Sequence, residues 1–196
     1  MFILASASPR RRELLQGMGC EFRIEVSDAE EVSEGRSPEE IALWNARSKA
    51  LAVAKKVPEL PVLGADTVVA MDGSIFGKPK DENDAVKMLS GLSGRTHQVI
   101  TGIAFVREGE VFSEAEITEV RFGIMPEEDI AAYVKTGEPL DKAGAYAIQG
   151  RAEAWIEGIR GSWSNVVGLP LYRVRVLAGK AGIDLYGNYG KGSPRG

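Results

Sequence analysis

The sequence predicts an α/β fold with a mixed, twisted central sheet flanked by helices. Three observations support this prediction: short apolar runs bounded by turn residues, helix starts marked by capping residues, and an order of strands and helices that does not alternate strictly. A purely parallel sheet requires strict alternation, so we expect both parallel and antiparallel pairs. The chain has 196 residues, 44% of them hydrophobic, which is enough to form a core without disulfides or metals.

The first quarter of the chain predicts one buried strand and two helices. Ser8 and Pro9 are typical of an N-cap and a first helical residue, and Gly19 is typical of a helix end. Ser37 and Glu40 have the spacing of a capping box. In order, we expect a strand from Phe2 to Ser6, a helix from Ser8 to Gly19, an irregular polar segment over 21–36 and a helix from Ser37 to about Lys56.

An apolar run followed by a tight turn marks the middle of the chain. The run from Pro61 to Ala70 is typical of a central strand, and Asp72-Gly73 is a strong hairpin signal. The hairpin should return the chain through Ser74 to Phe76. A third helix is then expected from its cap at Asp81 to about Ser90.

The second half predicts two long strands and then shorter elements. The two strands are joined at Glu108-Gly109, a turn signal, and Gly137 ends the helix that follows them. No fixed-period repeat and no linker is visible, so we expect a single domain over 1–185. In order, we expect strands from Thr96 to Val106 and from Val111 to Phe122, a helix from Pro126 to Thr136, a polar, Gly-rich loop over 138–152, a strand from Ala154 to Ile159, a helix from Pro170 to Leu177 and a disordered tail over 186–196.

The overall charge and the residues available for chemistry exclude several function classes. The formal net charge is −4, so the chain has no global positive field for nucleic acid or an anionic membrane. The single cysteine, Cys20, cannot form an internal disulfide, and no apolar run is long enough to span a bilayer, so we expect a cytoplasmic protein. One cysteine and one histidine, His97, do not make a typical zinc site, and we interpret Cys20 as inert and His97 as structural.

Asp66 is the first candidate for chemistry, because it lies within the apolar run of the predicted central strand. A carboxylate there is costly unless it is paired, hydrogen-bonded or bound to metal. One interpretation is a buried aspartate neutralised by an arginine or a lysine, because ion-pair networks also bury carboxylates. Gly64 lacks a side chain on the same face of the strand, which would leave room beside Asp66 for a ligand.

A basic helix start follows the first strand. Ser8 begins that helix, and Arg10, Arg11 and Arg12 follow it directly. Cations are unfavourable at the positive end of a helix dipole, so three arginines there indicate an anionic ligand. Arginine can grip phosphate in a bidentate manner. The alternative is a solvated basic helix start, and the segment matches neither a P-loop nor G-x-G-x-x-G.

Three further charged residues are weaker candidates. Lys49 lies on the second predicted helix, and Lys78 follows the Asp72-Gly73 hairpin, which should carry it back toward the level of Asp66. Taken alone, each is better explained as a surface lysine than as a ligand. Glu31 belongs to an acidic loop that could be a solvated charge run, yet with Asp66 it could form a two-carboxylate magnesium site.

Together these segments resemble the Maf family of nucleotide pyrophosphatases, and the resemblance recurs in order over all but the last ~20 residues, the predicted disordered tail. Two positions, Ala29 and Ser48, depart from residues common in the family, and neither touches the proposed chemistry. The motifs that carry the resemblance are Leu4 to Arg11, Asp28 to Glu31, Ala46 to Ala50, Gly64 to Thr67, Gly77 to Pro79, Leu92 to His97, Glu138 to Tyr146, Ile148 to Gly150 and Val167 to Leu171.

The resemblance implies a Maf/ITPase-like arrangement of two closely joined lobes with a cleft. It also implies cleavage of a nucleoside triphosphate between its α and β phosphates, and the Gly-Ala-Tyr-x-Ile-Gln-Gly segment is similar to the branch that acts on dTTP and UTP. A divalent cation, Mg²⁺ or Mn²⁺, is the implied cofactor, and a homodimer is a family-level expectation. By position, the implied roles are Asp66 as general base, Glu31 with Asp66 at the metal, Arg10, Thr67 and Gln149 in selectivity, and Arg11, Lys49 and Lys78 at the triphosphate. Ser8, at the helix start, is a further substrate-binding candidate, because its hydroxyl can donate a hydrogen bond to an anion.

Two alternatives to a pyrimidine triphosphate pyrophosphatase stay open. The first is the 7-methyl-GTP branch of the same family, against which Gln149 argues, since an amide can pair with the O4 and N3–H edge of uracil or thymine. The second is a non-catalytic nucleotide-binding regulator of cell division. The presence of Asp66, Lys78 and Glu31 argues against this non-catalytic hypothesis, because together they retain the charges that the reaction needs.

Overall fold

A mixed sheet forms the centre of the computed structural model, which describes residues 1–187. Its seven strands are β1 (Phe2–Leu4), β2 (Phe22–Ile24), β3 (Val62–Met71), β4 (Ser74–Phe76), β5 (Thr96–Arg107), β6 (Glu110–Phe122) and β7 (Ile156–Arg160). The α-helices of this part of the chain are α1 (Pro9–Gly17), α2 (Pro38–Ala54), α3 (Glu82–Leu92), α4 (Glu127–Val134), α5 (Trp163–Val167) and α6 (Leu171–Lys180). Among the helices so described, none has the length and apolar character needed to cross a membrane.

The strand order confirms the predicted mixed sheet. The strands lie in the order β2-β1-β3-β5-β6-β7, with β4 also paired to β3. Strand β1 runs parallel to β2 and β3, whereas β4, β5, β6 and β7 join the sheet through antiparallel pairs. The two hairpins predicted at Asp72-Gly73 and Glu108-Gly109 supply two of the antiparallel pairs, β3–β4 and β5–β6, and all four turn residues have positive φ.

One edge of β3 is left open over five residues. Strand β5 pairs with β3 from Val62 to Ala70 along one edge. On the other edge β1 reaches only Val62 and Leu63, and β4 begins only at Val69. The stretch 64–68 therefore has no strand neighbour on that side, and side chains on both faces of β3 can be reached through the gap.

Helix α2 packs very closely on one face of the sheet. A Cβ atom at Gly64 would lie 2.2 Å from the carbonyl oxygen of Ala46, and one at Gly102 would lie 2.3 Å from that of Ala42. Gly102 is the neighbour of Asp66 on β5. The interpretation that Gly64 leaves room for a ligand is therefore wrong, because helix backbone fills that space.

The opposite face of β3 is covered by two separate groups of helices. Leu63 and Ala65 pack in a core with α1 and α6, whereas Val69 and Met71 pack in a second core with α3 and α4. Thr67 lies between them on the same face, since side chains alternate along a strand. This division corresponds to the expected two lobes, with the open edge of β3 at their junction.

Most element predictions are confirmed, and the local chemistry explains the exceptions. Ser8, Ser37 and Asp81 cap their helices as predicted, and the Ser37–Glu40 capping box is complete. Strand β2 was missed within the segment predicted to be irregular, because it is three residues long and pairs only with β1. Helix α5 was missed because five residues give little periodicity. The loop over 138–152 contains short 3₁₀ turns, and the predicted tail lies outside the described residues from 188 onward.

Candidate active site

A cleft of about 950 Å³ opens at the unpaired edge of β3. It is bordered by the segment between β1 and α1, by α2, by the segment after β4, and by loops that precede α2 and follow α4. Every residue proposed from the sequence lines this cleft: Ser8, Arg10, Arg11, Glu31, Lys49, Asp66, Thr67, Lys78 and Gln149. The fold thus brings together residues that are up to about 140 positions apart in the chain, a distance that sequence periodicity alone does not bridge.

Asp66 is buried, and both of its carboxylate oxygens are engaged. Lys49 Nζ lies 2.6 Å from Oδ1, and Asn45 Nδ2 donates to Oδ2 at 3.0 Å. The interpretation of a buried aspartate neutralised by a lysine is therefore realised in the free protein. The pair nevertheless faces the cleft, and each carboxylate oxygen keeps a further lone pair for another donor.

The close packing of α2 on the sheet explains why Asn45 and Lys49 reach Asp66. Asn45 and Lys49 are four residues apart and so lie on one side of the helix. The helix backbone can approach β3 and β5 only because Gly64 and Gly102 carry no side chain. A polar pair on α2 is thereby held against a strand that is otherwise apolar.

Asn45 also connects Asp66 to the loop that carries Glu31. Its Oδ1 accepts from Val32 N at 2.8 Å, and its Nδ2 donates to Val32 O at 2.9 Å. Sequence reasoning missed Asn45, which is only 2% exposed. A buried asparagine one helical turn before Lys49 was the available signal, since a buried amide needs partners for both of its ends.

Lys49 bridges two carboxylates. Its Nζ lies 2.7 Å from Glu31 Oε1 as well as 2.6 Å from Asp66 Oδ1. Partial burial by itself would raise the pKa of Glu31, but the hydrogen bond and charge of Lys49, with Lys78 and Arg11, hold that pKa below its ordinary value. Glu31 is therefore ionised at neutral pH and faces the same cation as Asp66.

Arg11, which was predicted to contact the triphosphate, is hydrogen-bonded within the free protein. Its guanidinium is buried and donates from Nε to Gly168 O at 2.8 Å, from Nη1 to Ala65 O at 2.8 Å, and from Nη2 to Thr67 Oγ1 at 3.0 Å. Nη1 also donates to Ser6 Oγ at 3.1 Å. Burial lowers the pKa of Arg11 from its ordinary value, although the charge of Asp66 opposes this. In this arrangement Arg11 ties the open edge of β3 to two loops, and a bidentate grip on phosphate would require some of these bonds to break.

Three other predicted residues are uncommitted. Within residues 1–187, the side chains of Arg10, Lys78 and Gln149 make no hydrogen bond or ion pair; all three border the cleft, where Arg10 is half-buried and the other two are exposed. The charge of Lys78 acts on Glu31, which shares Lys49 with Asp66. Ser8 is the N-cap of α1 and accepts from Arg11 N at 3.5 Å. The cleft therefore offers two cations and one amide to a ligand.

The interpretations of His97 and Cys20 agree with the structure. His97 is 1% exposed, its Nε2 lies 2.8 Å from Tyr146 Oη, and burial lowers its pKa to about 4. Burial raises the pKa of Cys20 to about 11, so its thiol stays protonated and a weak nucleophile.

The donor set fits a hard divalent cation that is shared with a phosphate ligand. Glu31 and Asp66 each place a carboxylate oxygen within 2.7 Å of one ammonium nitrogen, so both oxygens converge on a single cationic position. Within the described part of the chain, no group of three or more His, Cys, Asp and Glu side chains could hold a metal alone. Mg²⁺ is commonly bound by one or two carboxylates together with substrate phosphates, which agrees with two protein ligands.

Comparison with known proteins gives one consistent result. A protein of Symbiobacterium thermophilum named dTTP/UTP pyrophosphatase is 49% identical over 185 residues, which cover 94% of this chain and 95% of that protein. Proteins of the same name from Thermococcus gammatolerans and Geobacter metallireducens are each 50% identical, over 87% and 88% of this chain and 91% of each relative. A solved structure titled as the Staphylococcus aureus Ham1 protein has a TM-score of 0.43 at 17% identity, covering 62% of this chain and 71% of that one, which is too distant to support an argument.

The family profile described as Maf-like protein matches residues 1–181. That range includes every strand and helix described above and every residue of the cleft. The resemblance inferred from the motifs is thus confirmed, and the chain belongs to the Maf family.

Proposed function

We propose that this protein is a nucleoside triphosphate pyrophosphatase that hydrolyses dTTP and UTP to the monophosphate and pyrophosphate. The observation that carries the proposal is the cleft at the open edge of β3, where Asp66 and Glu31 face Lys49 while Arg10, Lys78 and Gln149 are uncommitted. The names of relatives that are 46–50% identical over most of the chain supply the substrate class.

Asp66 is proposed as the general base. Hydrolysis between the α and β phosphates needs a positioned water that loses a proton as its oxygen attacks phosphorus. Asp66 lies on a strand, and Asn45 fixes one of its oxygens at 3.0 Å, so the carboxylate is held rigidly in the cleft. Its second oxygen becomes available to a water when Lys49 turns toward a phosphate.

The cations of the cleft neutralise the substrate and the leaving group. A triphosphate carries up to about four negative charges, and pyrophosphate leaves with most of them, so positive groups are needed where that charge accumulates. Arg10 and Lys78 border the cleft and form no ion pair in the described residues, and Lys49 can exchange its carboxylates for phosphate oxygens. Arg11 supports the site by holding Thr67, Ala65 and Gly168 together.

Glu31 and Asp66 are proposed to hold Mg²⁺ or Mn²⁺ together with the substrate phosphates. Such an ion supplies Lewis-acid stabilisation of the charge on the phosphoryl oxygens. Glu31 and Asp66 suit that purpose because each has a carboxylate oxygen within 2.7 Å of Lys49 Nζ, and Asn45 couples the Glu31 loop to Asp66. A cytoplasmic location and a homodimer are further proposals, and light scattering at micromolar protein concentration tests the second.

The first prediction tests the reaction itself. Purified protein with Mg²⁺ or Mn²⁺ should convert dTTP and UTP to monophosphate and pyrophosphate, as measured by chromatography across a panel of nucleotides that includes 7-methyl-GTP and modified pyrimidines. Asp66→Asn keeps the shape and a hydrogen-bond acceptor but removes the base, so it should lose at least about 10²-fold in kcat. Its circular dichroism should match that of the parent protein.

Two results would redirect the proposal. Hydrolysis of 7-methyl-GTP in preference to pyrimidines would place the chain in the other branch of its family. Calorimetric binding of nucleotides without any turnover would indicate a regulatory nucleotide-binding protein, which is the alternative from a different function class. We expect turnover, because the cleft contains both carboxylates proposed for the reaction and the cations proposed to bind the triphosphate.

A further inference from the structure

Two side chains that have no role in the proposed reaction hydrogen-bond to the backbone of the loop that carries Gln149. Gln149 is exposed and unbonded within the described residues, whereas Ala147 and Ile148 before it are buried. The direction in which Gln149 points is therefore determined by the backbone on either side of it. That backbone is held by Tyr133, on α4, and by Glu138, just after that helix.

Glu138 and Tyr133 form a hydrogen-bonded pair. Tyr133 Oη donates to Glu138 Oε1 at 2.8 Å, and the tyrosine is 3% exposed. Burial, and then the hydrogen bond to Glu138, raise the pKa of Tyr133, so its hydroxyl remains a donor at every physiological pH. The same hydroxyl oxygen accepts from Ala147 N at 3.4 Å.

The carboxylate of Glu138 holds the other flank of Gln149. Its Oε1 accepts from Arg151 N at 3.1 Å, and its Oε2 lies 3.4 Å from the same nitrogen. The pair Tyr133–Glu138 thus accepts backbone N–H groups two residues before and two residues after Gln149. Because these oxygens bond to the protein, Glu138 acts on the cleft through the loop even though it borders the cleft.

Gly150 is matched to this carboxylate. A Cβ atom at Gly150 would lie 2.0 Å from Glu138 Oε1, and the three nearest atoms to that position all belong to Glu138. The backbone at Gly150 has a φ of −116°, which any residue adopts. What requires glycine here is therefore the carboxylate alone, and an alanine at position 150 would push the end of Glu138 away.

We propose that Glu138, which is hydrogen-bonded to Tyr133 and packed against Gly150, is a positioning residue that sets the geometry of Gln149 and thereby the nucleotide selectivity of the cleft. The selectivity part rests on the proposed function, in which Gln149 reads the pyrimidine edge. The positioning part rests only on the hydrogen bonds of Glu138 and on the space at Gly150.

Hydrogen–deuterium exchange of the free protein tests the positioning part. Glu138→Ala removes the acceptor of Arg151 N–H and the hydrogen-bond partner of the Tyr133 hydroxyl, which accepts from Ala147 N–H. Gly150→Ala displaces the same carboxylate while leaving Glu138 in the chain, so both variants should speed exchange at the Ala147 and Arg151 amides about tenfold or more. Glu153→Gln, an exposed glutamate of the same segment, is the matched control and should leave these amides unchanged. Unchanged protection in both variants would overturn the inference.

Steady-state kinetics test the selectivity part. In Glu138→Ala and in Gly150→Ala, KM for dTTP and UTP should rise about tenfold while kcat changes far less, and the preference for them over CTP should narrow. The double variant should be no worse than Glu138→Ala, because Gly150→Ala acts only by displacing that carboxylate. Additive effects, or an equal loss of kcat on every nucleotide with KM unchanged, would overturn positioning in favour of direct chemistry.

The two parts fail separately. If the parent protein hydrolysed no pyrimidine triphosphate, the proposed function would fail, and the exchange measurement would still decide whether Glu138 holds the loop. If the parent protein were active and Glu138→Ala kept its exchange protection and its selectivity, only the inference would fail.

Discussion

At the scale of single residues, His97 is an internal pH-sensitive group that takes no part in the proposed reaction. His97 is 1% exposed, and its ring packs edge-on against Phe122 and Tyr146. Its Nδ1 has no hydrogen-bond partner in the described structure, so a proton on that nitrogen would be buried without compensation. The low pKa of His97, about 4, follows from this burial.

The second prediction concerns stability and pH. The folded pKa of His97 is about 4, below its ordinary value of 6.5, so the unfolded chain binds a proton first as the pH falls. Stability should therefore be intact above pH ~6.5 and decline between pH ~6.5 and ~4, by about 2 kcal/mol from pH 7 to pH 5. His97→Gln, measured by urea unfolding at both pH values, should show a smaller decline, and since the chain has one histidine, an equal decline would refute the assignment.

Single residues also mark where sequence reasoning succeeds. Asp66 could be found because a carboxylate in an apolar run is costly, and that argument needs no knowledge of the fold. Arg11 could not be separated from Arg10 in the sequence, because the difference lies in which side chain meets the open edge of β3. Asn45 was missed for the same reason, since its three bonds join segments that only the tertiary structure brings together.

At the scale of elements, the close packing of α2 on the sheet positions the side chains that contact Asp66. The third prediction is that Gly102→Ala, whose Cβ would lie 2.3 Å from the backbone oxygen of Ala42, destabilises the fold by about 1–3 kcal/mol or more. It should also lower kcat, because the added methyl group would push α2 outward and move Lys49 and Asn45 away from Asp66.

The control for this prediction is Gly179→Ala. Gly179 lies in α6 with nothing within 4 Å of a Cβ atom, so alanine should leave activity unchanged and stabilise the helix by up to about 1 kcal/mol. Thermal unfolding and initial rates measured on the same preparations compare the two variants. Parent-like values for Gly102→Ala would show that α2 can move without cost.

At the scale of the whole molecule, a ligand in the cleft should join the two lobes. The fourth prediction is that a non-hydrolysable α,β-methylene analogue of dTTP with Mg²⁺ raises Tm, since binding to the folded state alone stabilises by about 2.7 kcal/mol at 100 times Kd. Lys78→Ala should keep the Tm of the free protein, because this exposed side chain makes no hydrogen bond or ion pair in residues 1–187, and should reduce the ligand-induced shift.

Lys80→Ala is the matched control for that measurement. Lys80 is an exposed lysine two positions further along that does not line the cleft. Both variants change the net charge equally, so a general electrostatic effect would reduce both shifts alike. A reduction confined to Lys78→Ala would place that lysine at the ligand.

The whole molecule also shows which features of the fold can be predicted from local sequence pattern and which cannot. Capping residues and turn signals act over a few positions, so α1, α2, α3 and both hairpins were found from local pattern. The gap between β1 and β4 could not be found in that way, since it depends on how far two short strands extend along a third. The cleft is a property of strand lengths and pairing, not of any one segment.

The glycine pair beneath α2 has a consequence for reading related sequences. Every possible replacement at Gly64 or Gly102 adds at least one carbon atom where helix backbone already lies, so neither position can drift neutrally while the helix keeps its place. An aspartate at position 66 can survive in a sequence after activity is lost, because it can remain an ion-paired strand residue. A relative with an intact aspartate but a bulkier residue at either glycine position should therefore be an inactive descendant, recognisable before any assay is made.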